Sequence, residues 1–394
     1  MPTSRTPKSG RTVRKPRVLS PVVAARDIPN RVRLLLCVHA GGRCEFDGCN
    51  AYLFEDSLTL TDGNFSEAAH IVAFREQGPR GAAPNRPTNI NELANLMLLC
   101  PTHHKLIDDR PIDYTRSTLE NYKAAHESRI KHVTSLGPDR KTAVVVFKAL
   151  IRGQMVGIPY HQIAEATAPR FPTTRQPFTI DLTGLPADDR AFYRTACTTI
   201  KRRVLDLFSP EGEAVKAAHI SVFAIGPIPL LMCLGRQLSN KVASDPYQRH
   251  RDTEAWTWKT DGAPVRYRFR RVNRGHFKRV ALVLSLSGTI RLQDLPADTR
   301  RSSAIYEITL NGMTPQTTFL QQKRDLDAFR AAYQEAIATI LQAHGPLDTI
   351  DLFPAVPAPI AVLCGRELLP KVHPKLRVFD NDRDAGGFTF KLEV

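Results

Sequence analysis

The chain has 394 residues, 42% hydrophobic and 24% charged, a composition that excludes wholesale disorder, and its length predicts two or three cores rather than one. Lys and Arg number 55 against 39 Asp and Glu, a formal charge of +16, which favours densely anionic partners, nucleic acid ahead of an anionic membrane. Seven cysteines, an odd number with three of them beside histidines at ligand-like spacing, read as metal chemistry in a reducing compartment rather than as disulfides.

Residues 1–18 carry six Lys or Arg and no acidic residue among Pro, Ser, Thr and Gly. A flexible basic arm over 1–20 is expected, either a non-specific DNA clamp or a solubilising tail. Its lack of an apolar stretch does not fit a secretory signal. From Pro29 to Ala40 a short helix is predicted, stopped by Gly41 and Gly42. Residues 78–91 read as a Gly/Pro/Asn-rich loop, NLMLLC as a short apolar run, and Ser117 with Glu120 as a capping box opening a helix that closes a first domain over 21–135. Residues 136–175 are taken as a connecting segment. Beyond them strand-like runs (FTIDL, HISVFAI, VALVLSLSG, AIYEITLNG, TIDLFPAV) alternate with helical patterns, which argues for a layered α/β architecture over 176–394. The most apolar stretch, Ile220 to Gly235, is broken by Pro227 and Pro229 and is too short to cross a bilayer. A cytoplasmic protein with no membrane segment is therefore expected. Residues 220–242 align without a gap on 350–372, keeping among others Phe223/Phe353, Pro227/Pro357, Gly235/Gly365, Arg236/Arg366 and Lys241/Lys371. Two copies so widely spaced predict duplicated α/β subdomains.

Cys44, Cys49, Cys100 and His103 form two knuckles, C-x4-C and C-x2-H. Thiolate and imidazole ligands in fours suit a closed tetrahedral zinc site, and a zinc staple suits a segment with few long apolar elements; buried cysteines packed as small hydrophobes are the alternative. Between the knuckles lies EAAHIVAF with His70, and NLMLLCPTHH adds Asn95 and His104. On these motifs residues 44–108 resemble the zinc-containing HNH endonucleases. The resemblance implies an α+β, ββα-metal fold holding one catalytic divalent ion, magnesium or another. It implies His70 as the general base, His104 as a ligand of that ion, and Asn95 either fixing the loop that orients His70 or reaching the metal. Asp108, four residues after His104, is a second ligand or a solvent-facing carboxylate. Two features depart from many family members: the first knuckle spacing is four, and Ala69 stands where an acid often precedes the His, so that Glu67 or Asp108 would supply the carboxylate.

In each repeat a strand runs through P-x-P into a helical stretch ending in Gly-Arg. Such a turn aims backbone N–H groups beyond the strand's end, where phosphate can sit, with Arg236, Arg366, Lys241 and Lys371 as further anion contacts or, on the blander reading, the arginines in internal ion pairs and Pro227 and Pro357 merely shaping the turn. Trp256 and Trp258 alternate as on one face of a strand, as core packing or as a base-stacking platform. With the strand ends IDLTG (180–184) and LSLSG (284–288) and the place after an HNH module, residues from about 176 resemble a SAVED domain, two fused CARF-like, Rossmann-like subdomains. The pair resembles the effectors of cyclic-oligonucleotide-based antiphage signalling (CBASS). That resemblance implies a cyclic di- or trinucleotide made by a partner nucleotidyltransferase, assembly of a homo-oligomer, and cleavage of double-stranded DNA. Two other readings stay open: a restriction-type HNH endonuclease reading modified DNA, and a non-enzymatic zinc-bearing regulator that senses a nucleotide and binds DNA.

Overall fold

The computed structural model describes residues 27–82, 84–151, 153–154, 156–185, 191–382 and 386–394; the basic arm falls outside them. The chain divides into two compact units, Met1–Ser135 and Leu136–Val394. In the first, helix α1 (Asn30–His39) ends where Gly41 and Gly42 take φ of +61° and +68°, a conformation that few side chains tolerate. Strands β1 (Glu67–His70) and β2 (Leu96–Leu99) pair antiparallel, Glu67 opposite Leu99 and His70 opposite Leu96. β2 is buried along its whole length and leads through Cys100 into helix α2 (Pro101–Asp109), with proline at the first helical position, where its missing N–H costs nothing. Helix α3 (Arg116–Thr134) follows. Its cap is Thr115, whose side chain accepts from the Thr118 amide. The expected Ser117/Glu120 box is absent: Ser117 lies within the helix, and Glu120 pairs with Arg116 one turn away at 2.8 Å.

The segment 136–175 is no mere connection. It contains β3 (Lys141–Lys148), helix α4 (Tyr160–Thr167) and the short β4 (Phe171–Pro172). β3 is an interior strand of a parallel sheet ordered β4-β3-β6-β7, where β6 is His219–Ile225 and β7 Ala243–Tyr247; β5 (Phe178–Asp181) also pairs with β3. AVVVF is buried on both faces, which a parallel strand requires and which hides the period-two signal of a half-exposed one. Helices α5 (Phe192–Leu207), α6 (Glu213–Ala217) and α7 (Ile228–Leu238) complete this half.

The second half adds β8 (Tyr267–Asn273), β9 (His276–Ser285), α8 (Ala297–Ser302), β10 (Ser303–Leu310), α9 (Lys323–His344), β11 (Thr349–Ala355), α10 (Ala358–Arg366), β12 (Lys375–Asp382) and β13 (Gly387–Glu393). Its sheet runs β13-β12-β11-β9-β10-β8, parallel in the middle with an antiparallel strand at each edge. The sequence repeat is β6–α7 against β11–α10. Since β6 lies beside β3, and β11 beside β9, β9 is the counterpart of β3. The segments IDLTG and LSLSG, which end β5 and β9, are therefore not equivalent positions. AWTWK is not a strand. Trp256 is 1% exposed and meets Phe223 edge-on at 5.2 Å, so it packs a core and offers no platform to a base.

The two halves join where α7 crosses α10. A Cβ on Gly235 would lie 1.9 Å from the Val362 carbonyl oxygen, and one on Gly365 2.0 Å from that of Met232; the two contacts are images of each other under the repeat. Each following arginine then reaches into the other repeat, Arg236 donating to the Leu368 carbonyl at 2.7 Å and Arg366 to that of Val242 at 3.1 Å. Alanine in place of a helical glycine normally gains up to about 1 kcal/mol, whereas overpacking costs about 1–3 kcal/mol. With carbonyl oxygens this close the second term wins. Gly235→Ala and Gly365→Ala should each lower the unfolding midpoint of the Leu136–Val394 unit in a thermal melt, despite alanine's better helix propensity.

Candidate active site and metal centre

Two side-chain sets depend on one turn of α2. The first is Cys44, Cys49, Cys100 and His103, whose donor atoms all lie within 4.8 Å of one another. Cys100 Sγ is 3.1 Å and Cys44 Sγ 3.8 Å from His103 Nδ1, and the Cys100 amide donates to Cys44 Sγ at 3.4 Å. Three thiols and an imidazole at these separations fit one tetrahedral zinc ion. Burial pushes the Cys44 thiol up to about 12, so a thiolate there calls for a cation beside it. Phe46 stacks on the His103 ring at 4.1 Å and fixes its plane. Glu45, between Cys44 and Phe46, is buried and accepts the Leu98 amide at 2.6 Å, tying the first knuckle to β2; burial, opposed by Lys123, pushes its carboxyl up to about 7.

The second set faces another way from the same turn. His104 Nδ1 lies 2.5 Å from Glu67 Oε2 on β1, and its Nε2 3.5 Å from Asp108 Oδ2 one turn on. The two carboxylates meet opposite nitrogens of the ring, so the three donors do not converge on one point as they stand, and a divalent cation there would take one ring nitrogen with the carboxylate beside it. Ala69 is fully buried, so an acid there would be desolvated without a partner; the carboxylates stand instead on Glu67 and Asp108. Three residues along β1 from Glu67, His70 Nε2 is 2.9 Å from Asn91 Oδ1. Asn95 is buried and spans the turn after β1: its Oδ1 accepts the Val72 amide at 2.9 Å, and its Nδ2 donates to the carbonyls of Val72 and Ile90 at 3.0 and 2.9 Å. Both ends of that side chain are engaged by backbone, which leaves it holding the loop.

Sequence patterns did not single out Asn91, Arg80 or Arg86. Arg80 donates to the carbonyls of Ile71 and Ile107 at 2.6 and 2.7 Å and meets Asp108 at 3.3 Å, so one guanidinium joins the residue after His70 to the helix of His104. Arg86 binds the Phe74 and Gly81 carbonyls. These arginines give order to a segment whose composition reads as loose loop.

In the second unit the P-x-P turns supply fewer phosphate donors than expected. Pro229 and Pro359 remove one first-turn amide each, and the Leu230 amide is taken by the Pro227 carbonyl. Arg366 is ion-paired with Glu367 at 3.1 Å, and the side chains of Lys241 and Lys371 are exposed. Arg236 alone of these borders a cavity of about 970 Å³, with Tyr193, Arg194, Lys201, Phe390 and Lys391; Lys371 lines a smaller one of about 560 Å³, which Arg236 also borders.

Comparison with known proteins agrees with this division. The family model for HNH endonuclease matches residues 44–112, and that for the SMODS-associated and fused to various effectors sensor domain (SAVED) matches 200–394. The SAVED match begins inside α5, although its first sheet already includes β3. No curated protein matches the chain. Among solved structures, an Acinetobacter baumannii Cap4 SAVED/CARF-domain containing receptor with the cyclic trinucleotide 2'3'3'-cAAA matches at 12% identity and a TM-score of 0.41, over 78% of this chain and 64% of that one. A Moraxella osloensis Cap4 SAVED/CARF-domain containing receptor matches at 11% and 0.37, over 74% and 60%. The chain thus spans less than two-thirds of the length of either. Among the described residues no helix is long and apolar enough to cross a membrane.

The purified protein should carry one zinc per chain by elemental analysis. Stripping it with a strong chelator, or replacing Cys100 by Ser, should lower the melting temperature of the first unit, because binding energy at such a site is folding energy.

Proposed function

We propose, starting from a chain that joins an HNH endonuclease domain to a SAVED sensor domain, that it is a metal-dependent double-stranded DNA endonuclease switched on by a cyclic oligonucleotide, an antiphage effector of the CBASS kind. The observation that carries the nuclease half is that His70 pairs with Asn91 at the end of β1 while His104 of α2 meets Glu67 at that strand's start and Asp108 one turn on. With Nε2–H donating to Asn91 Oδ1, the His70 Nδ1 lone pair is left to take a proton from the attacking water. Asn95 and Arg80 hold the loop that fixes that ring. His104, with Glu67 or Asp108 beside one of its ring nitrogens, would hold the divalent cation, which when bound stabilises charge on the phosphoryl oxygens and the leaving group. The zinc set positions this turn and takes no part in the reaction.

For the sensor half, the cavity bordered by Arg194, Lys201, Arg236 and Lys391, with the rings of Tyr193 and Phe390, offers cations for phosphates and aromatic faces for bases. It supports a cyclic di- or trinucleotide better than the P-x-P helix starts do. The messenger would come from a partner nucleotidyltransferase in the same cytoplasm, and its binding would assemble the chain into an active homo-oligomer.

Plasmid incubated with the protein and magnesium should stay intact until the right member of a panel of cyclic di- and trinucleotides is added. His70→Ala should then slow cleavage by about 100-fold or more, the usual worth of a general base. Cleavage with no messenger would return the restriction-type reading, and DNA binding that survives with no cleavage under any condition would return the zinc-bearing regulator. Lys201→Ala and Arg194→Ala should each raise the messenger concentration for half-maximal activity by about 10-fold, as expected for one lost charge-assisted contact, and leave the maximal rate unchanged.

A further inference from the structure

Residues 266–279 hold seven Lys or Arg and no Asp or Glu, and most of them lie on or beside β8, the edge strand next to β10. Alternation along β8 puts Arg268 and Arg270 on one face, opposite Thr309 and Glu307 of β10, with Arg266 continuing the row. Asn273 at the strand's end donates to the Arg300 carbonyl at 3.1 Å, which brings α8 and the exposed Arg300 and Arg301 to the same end. Of these cations, Arg270 is taken by Glu307 at 2.6 Å and Arg279 by Asp298. Arg266, Arg268, Arg274 and Arg300 are exposed and have no ion pair or side-chain hydrogen bond among the described residues. Guarding a strand edge against pairing takes a charge or two; four uncompensated guanidinium groups repel one another and exceed that need.

We propose that this β8 edge is a contact surface for duplex DNA, with Arg266, Arg268, Arg274 and Arg300 set against backbone phosphates. It rests on the reading of the chain as a DNA endonuclease and adds to it a second, sequence-independent hold on the substrate, placed on the sensor unit. Six residue steps of strand make a row about 20 Å long, which the two or three phosphates of a cyclic messenger cannot cover and a duplex can. Guanidinium groups set against phosphates fix position and add affinity without themselves choosing sequence.

The test uses full-length protein carrying His70→Ala, so that bound DNA is not cut, with and without Arg266→Gln, Arg268→Gln and Arg274→Gln together. Binding to a short labelled duplex is followed by fluorescence anisotropy over a salt series. Removing three phosphate contacts should flatten the plot of log affinity against log salt by about 2 to 3 units and weaken binding about 10-fold or more at moderate salt, with the melting temperature unchanged because the three side chains are exposed and unpaired. An unchanged slope and affinity would overturn the proposal. So would a triple variant that self-associates while binding DNA as before, since the arginines would then serve only as edge guards. The same triple substitution on an intact His70 background separates the two readings: messenger-dependent cleavage with unchanged DNA affinity sinks this surface alone, whereas a parent protein that neither binds nor cuts DNA sinks the endonuclease reading with it.

Discussion

His103 and His104 are neighbours on one helical turn, and the HNH unit is organised by that adjacency. Successive residues on a helix point about 100° apart, so a ring committed to the cysteines turns the next ring toward β1. There it meets Glu67 on the strand and Asp108 on the helix. Cys100 ends β2 and caps α2 in the same stroke, which makes the zinc set the joint between hairpin and helix. The hairpin itself pairs over only four residues on each strand, too little to hold a reaction geometry without such a joint.

How far this was legible in the sequence depends on whether a residue acts through spacing or through backbone. The knuckles, His70 and His104 stand out because metal ligation and acid–base chemistry, where they occur, demand particular side chains at particular intervals. Asn91, Arg80 and Arg86 act on carbonyls or on another side chain far along the chain, and nothing near them in sequence marks the partner. After residue 176 the strands β5, β6, β9, β10 and β11 were readable from alternating runs, whereas β7, β8, β12 and β13 were not, and before it β3 was passed over. Its AVVVF core is buried on both faces, and a short uniform apolar run carries no period to read. The helix start at Thr115 was missed for a smaller reason: two hydroxyl residues stand close together, and the one that caps is settled by the path of the chain entering the helix.

The repeat was read as duplication, and its arginines were left open between anion contacts and internal ion pairs. In the fold the glycines let two helices touch backbone to backbone, the arginines bind carbonyls across the join, and Arg366 is ion-paired internally with Glu367. Arg236 does both, holding Leu368 while bordering the large cavity. A ligand drawn to that guanidinium would therefore act on a group already engaged in joining the halves.

The α7–α10 crossing also bears on how such a doubled domain can diverge. A side-chain contact can be trimmed by one methylene at a time, so that either copy drifts while the other compensates. A contact between a bare Cα and a carbonyl oxygen has no smaller version. Each copy must keep its glycine for as long as the pair is to remain one body, and the strip of sequence that survives in both halves is the imprint of the seam, while the edges of the two sheets, free of it, have grown unlike.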